Sequence, residues 1–95
     1  MSSLNEITID MPAMFSVEEA SAFRDTVKTY ISSGQTSFVL DFKNCTFIDS
    51  TGLGVIVSLY KKCAENGGTI RLRSLHPNVY KIFELTRLTN VFEII

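Results

Sequence analysis

The sequence predicts one α/β domain covering residues 1–95. Three observations carry that expectation. β-Patterned and helical segments alternate in the order β-α-β-α-β-α-β, which favours a largely parallel or mixed sheet joined by right-handed crossovers. Turn residues fall between the segments, and no linker, repeat or low-complexity stretch divides the chain. Hydrophobic residues make up 45% of the sequence, an ordinary globular share. A chain of this length buries roughly 60–65% of its unfolded surface, enough for one core.

Each element follows from its local pattern. Glu6-Ile7-Thr8-Ile9-Asp10 alternates polar and apolar residues, as a strand does. Met11-Pro12-Ala13 ends it, because Pro cannot donate to a ladder. Ser16-Val17-Glu18-Glu19 has the form of a capping box. The helix it opens places Ala20, Phe23, Val27, Tyr30 and Ile31 on one stripe. Gly34 stops it, being free to take the left-handed conformation. Ser37 to Phe42 is a β-rich run, apolar on both faces in its first half, as in a central strand covered by helices. Cys45-Thr46-Phe47-Ile48 is a short apolar approach to Asp49-Ser50.

The second helix runs from Thr51 to about Asn66 and is closed by Gly67-Gly68. At 100° per residue its core stripe is Leu53, Ile56, Val57, Tyr60 and Ala64. Gly54, Val55, Ser58 and Lys62 then fall on the opposite face, with Leu59 at the border. Thr69 to Arg73 alternates as a strand with one wet face. A third helix starts at His76-Pro77 and runs to about Leu85, with Val79, Ile82, Phe83 and Leu85 facing in. Val91 to Ile95 is the last short strand.

Composition excludes several functions. Nine Lys and Arg stand against ten Asp and Glu, a net charge of −1, so the basic surface of a nucleic-acid binder is not expected. No apolar run approaches the roughly 18 residues of a membrane span. The N-terminal residues lack the basic and apolar regions of an export signal, so a cytoplasmic location and reduced thiols are expected. Cys45 and Cys63 have no metal or redox spacing and read as small buried hydrophobes. No metal or cofactor is expected.

Chemistry concentrates in Asp49-Ser50-Thr51-Gly52-Leu53-Gly54, where strand gives way to helix. A phosphate-binding loop fails, for want of a Lys beside the final hydroxyl and of enough glycines. A nucleophile elbow fails too: Ile48 stands where Gly is required, and nothing brings His76, the single His, near Ser50. Two readings stay open. Ser50 caps the helix and needs no function. Alternatively, Ser50 accepts a phosphate, whose charge the helix dipole tolerates but which a docked partner does not. Gly52 and Gly54 each cost about 1 kcal/mol in a helix relative to Ala, so something approaches the backbone there, a neighbouring element or a partner. The partner-contact candidates are Asp49, Ser50, Thr51, Gly52, Gly54, Val55, Ser58, Leu59 and Lys62.

These residues resemble the STAS domain family, and within it the anti-sigma factor antagonists. Val39-Leu40-Asp41-Phe42, the stretch from Phe47 to Gly54, Gly67-Gly68, and Pro77 to Leu85 followed by Leu88 carry the resemblance. It is strong from residue 36 to 95 and weak before that. The resemblance implies a mixed, mostly parallel four-stranded sheet with three helices packed largely on one side, and no enzyme activity. It implies partner switching. The unphosphorylated form binds an anti-sigma factor that is also a serine kinase of the histidine-kinase-like ATPase fold. Phosphorylation, carried over to Ser50, releases it, and a metal-dependent serine phosphatase restores binding. The alternative within the family is a constitutive subunit or ligand-sensing domain of a transporter or other complex. This sequence departs from the family at Ala13-Met14-Phe15-Ser16, where a Gly-x-Leu-Asp turn is usual. Only one strand is expected before the first helix, and the sequence ends at Ile95 without the last helix of many relatives. A monomer or weak dimer is expected.

Overall fold

The computed structural model describes residues 6–95. Four strands form the main sheet: β1 (Glu6–Asp10), β3 (Ser37–Asp41), β5 (Ile70–Arg73) and β6 (Glu93–Ile94), in the order β1-β3-β5-β6. Every pairing among the described residues is parallel. Three helices, α1 (Val17–Ser32), α2 (Ser50–Glu65) and α3 (Pro77–Leu85), complete the expected α/β domain. A 3-10 turn, Leu88–Asn90, leads into β6.

Parallel register aligns apolar residues in rows across the sheet. Ile7, Phe38 and Ile70 form one row; Ile9, Leu40, Leu72 and Ile94 form the next. Phe23 and Val27 of α1, Ile56 and Leu59 of α2, and Val79 and Phe83 of α3 share one core cluster with these rows. The helices therefore lie on one face. Edge-on aromatic contacts tie the layers, Phe42 to Phe83 at 6.0 Å and Phe83 to Phe92 at 6.0 Å between ring centroids.

The other face is polar, in keeping with three helices packed largely on one side of the sheet. Val39 is nonetheless only 3% exposed. Arg71 on β5 reaches across β3 to Glu6 on β1, with hydrogen bonds of 2.9 and 2.7 Å. That bidentate pair supplies the cover that a helix layer would otherwise give.

At the strand ends, Asp41 is 3% exposed. Its Oδ1 accepts from the Lys43 amide at 2.9 Å and its Oδ2 from Arg73 Nε at 3.0 Å. The Lys43 amide, and then the Arg73 hydrogen bond, hold this carboxyl below its ordinary pKa against the opposing effect of burial. A carboxyl depressed on folding stabilises the protein above its unfolded pKa, and that stability is lost as pH falls through the folded value. Calorimetry across pH is expected to show a level melting temperature from neutrality to about pH 5 and a fall below about pH 4. Asp41→Asn should remove part of that fall and cost about 1–3 kcal/mol at neutral pH.

Two further expectations are corrected. A second strand, β2 (Met14–Phe15), precedes α1 and pairs with β4 (Phe47–Ile48) in a separate two-stranded sheet. Two residues are too few for periodicity to reveal a strand. Leu85 is 72% exposed instead of facing in. It lies two residues, about 200° of helical rotation, from the buried Phe83. Cys45 and Cys63 are both buried free thiols, and burial pushes Cys63 up to about 11.

Candidate functional site

The site is built on the small sheet. Strand alternation sends Phe15 and Ile48 into the core and leaves their neighbours outside, Met14 at 55% and Phe47 at 45% exposure. Met14 and Phe47 are register partners, so they form an exposed apolar pair directly before Asp49-Ser50. The loop leading to β4 is held from α3: a His76 ring nitrogen lies 2.7 Å from the Lys43 carbonyl, and Asn78 Nδ2 donates to the Thr46 carbonyl at 2.6 Å. The Thr46 amide donates to Ala13 at 2.9 Å, which fixes the same loop to the approach of β2.

Asp49, and not Ser50, caps α2. Its backbone is extended, and its Oδ1 accepts from the Gly52 amide at 2.9 Å. Its own amide donates to the Phe15 carbonyl at 3.4 Å, tying the cap to β2. Ser50 is then the first helical residue and is exposed, as is Thr51. With the cap supplied by Asp49, the Ser50 hydroxyl has no structural duty in starting the helix. Asp49→Ala should lower stability by about 1 kcal/mol, while Asp49→Asn should keep most of it. Thermal unfolding of the two variants checks this.

The two glycines part company. A Cβ on Gly52 would run into the Phe15 carbonyl oxygen and lie 2.6 Å from Phe15 Cδ2. Gly52 therefore exists to let β2 pass close to α2. A Cβ on Gly54 would meet nothing within 4 Å. Among the described residues no neighbouring element explains that glycine.

The expected faces of α2 need correction. Val55 is 9% exposed and Leu59 only 2%, so neither lies on an open face, and Gly52 is buried too. Ala64, placed in the core stripe, is exposed. The buried residues are Gly52, Val55, Ile56, Leu59 and Cys63. The single-face reading failed because α2 packs on two sides. It lies on the sheet and also against α1, and this second contact turns the buried arc toward Val55 and Leu59. Leu53, Val57 and Tyr60 sit at the other edge of that arc, half-buried, with Tyr60 5.1 Å from Phe92 between ring centroids. Of the residues expected to meet a partner, Ser50, Thr51, Gly54, Ser58 and Lys62 are exposed and Asp49 is half-buried. Met14 and Phe47 are exposed on the small sheet that leads into this helix, and the sequence pattern singles out neither.

The model of the STAS domain family matches residues 4–95. The anti-sigma-B factor antagonist of Bacillus subtilis is 27% identical over 90 residues, covering 95% of this chain and 82% of that relative. A solved Thermotoga maritima protein, classed provisionally with the anti-sigma factor antagonists, is 28% identical with a TM-score of 0.87, over 95% of this chain and 78% of its own. The phosphorylated form of the Bacillus cell fate determinant SpoIIAA gives a TM-score of 0.78 at 20% identity, over 100% of this chain and 86% of its own, a likeness of fold alone. Among the described residues no helix is long and apolar enough to cross a membrane. The parallel sheet with helices on one face, the Asp49-capped helix and a match along almost its whole length place this chain in the STAS domain family.

Proposed function

We propose that this chain is a partner-switching regulator of the anti-sigma factor antagonist type, with Ser50 as its phosphoacceptor. Unphosphorylated, it binds a serine kinase of the histidine-kinase-like ATPase fold that also acts as an anti-sigma factor. Phosphorylation of Ser50 releases that partner, and a metal-dependent serine phosphatase reverses the change.

One observation carries the reading. The Ser50 hydroxyl is exposed at the first turn of α2 while Asp49 does the capping. A phosphate there adds about −1.5 to −2 charges next to the Asp49 carboxylate. The helix N-terminus tolerates that charge, so the fold persists. A partner packed on Met14 and Phe47 does not, because a charge must be desolvated with no counter-charge to pair with it. Thr51 and Gly54 extend the same surface by one helical turn, and the absent side chain at Gly54 lets a partner approach the helix backbone. Thr51 is the less suitable acceptor, standing one residue further from Asp49.

Intact-mass and fragment spectra of the protein purified from its native host test the reading. A phosphate on Ser50 under some growth condition is expected. Protein unmodified under every condition would return Ser50 to the status of an ordinary first-turn residue.

A further inference from the structure

We infer that the groove between α1 and α2 is a second docking surface, one that takes an acidic peptide segment of the protein partner. The inference rests on the partner-binding reading above. A shallow groove of about 320 Å³ lies two turns along α2 from Ser50, lined by Lys28, Ser58, Leu59, Lys61, Lys62 and Glu65. Three ammonium groups face one carboxylate. Among the described residues none of these lysines lies within 4.0 Å of a carboxylate. The sheet face is different: there Arg71 pairs with Glu6 and Glu93, and Arg73 and Lys43 pair with Asp41. Of the six basic side chains outside those ion pairs, three thus line this groove, while Arg24, Lys81 and Arg87 lie elsewhere.

Helix stabilisation does not account for the arrangement. A cation in the last turn of a helix complements its dipole, which explains Lys62. It does not explain Lys28, since α1 has no basic residue in its last turn. The chemistry of the groove favours carboxylates on an extended segment over a compact phosphate. Its walls are the flanks of two helices, whose amides are already bonded within the helix, so no free N–H converges on it. No aromatic ring lines it to stack a base. Spread lysines instead suit carboxylates spaced along a chain, and would steer such a partner toward Ser50.

The test is an amide-NMR titration of the full chain with a blocked deca-glutamate peptide. Shifts should concentrate at Lys28, Ser58, Lys61 and Lys62 and weaken with added salt. Lys28→Gln combined with Lys62→Gln should weaken binding about fivefold. Ser50→Asp should leave it within about twofold, because Ser50 and Lys62 are about 18 Å apart along the helix, beyond a Debye length of about 8 Å. That last arm separates this inference from the switch, since failure of either leaves the other measurement intact. Shifts spread equally over Lys43 and Lys81, or equal affinity in the double variant, would overturn the inference. So would inorganic phosphate or ATP perturbing the same amides more strongly than the peptide, because the groove would then be a phosphate site.

Discussion

Alanine at position 52 should lower the melting temperature by about 10 °C, while alanine at position 54 should raise it by about 4–8 °C. The same substitution two residues apart has opposite signs. In both cases the helix gains about 1 kcal/mol from replacing Gly. At position 52 the new methyl meets the Phe15 carbonyl oxygen, a backbone atom of β2 that cannot turn aside as a side chain could. Overpacking of this kind costs about 1–3 kcal/mol and here outweighs the helical gain. It also pushes β2 away from α2, carrying Met14 off the surface it shares with Phe47. At position 54 the methyl enters open space, so only the gain remains. Gly54→Ala should accordingly fold better and bind the partner less well. Thermal unfolding and partner titration of the two variants check both signs. A stabilised Gly54→Ala with undiminished binding would remove Gly54 from the contact surface.

Ser50→Ala should bind the kinase partner as the parent protein does, and Ser50→Asp should bind it about 100-fold more weakly, a loss of about 2.7 kcal/mol. The alanine variant removes only a hydroxyl, because the cap belongs to Asp49. The aspartate variant places a second carboxylate beside Asp49 at the edge of the Met14–Phe47 pair, where docking would have to desolvate it. Both variants should unfold within a few degrees of the parent, since a charge at a helix N-terminus changes stability by only about 0.3–1 kcal/mol. Weakened binding without unfolding is the signature of a switch that acts on association. Co-purification and calorimetric titration from the native host measure it.

The main fold could be read from the sequence because its signals are periodic. Ile7, Ile9, Ile70 and Leu72 alternate with polar residues, and parallel register aligns them with Phe38 and Leu40 in rows. The three helices were bounded by turn chemistry, including Gly34 at φ 95° and Gly67 at φ 78°. The small sheet was not legible, since Met14-Phe15 and Phe47-Ile48 acquire strand character only by pairing with each other. The faces of α2 were misread for a related reason. A helical wheel supposes one buried side, whereas α2 meets both the sheet and α1, which buries Val55 and Leu59. At Asp49-Ser50 the sequence pattern gives the cap to Ser50, whereas Asp49 holds it. Asp and Ser cap helices about equally well, so Asp49-Ser50 read alone does not say which residue caps. The Asp49 carboxylate accepting from the Gly52 amide settles the order, and the Asp49 amide is tied to Phe15 of the strand the sequence did not reveal.

The most direct test of the central claim is the affinity of homogeneous protein bearing phosphoserine at position 50 for the kinase partner, set beside its melting temperature. The account predicts a melting temperature within a few degrees of the unmodified protein and binding weakened by at least about 100-fold. Equal affinity of the two forms, with both folded, would contradict it.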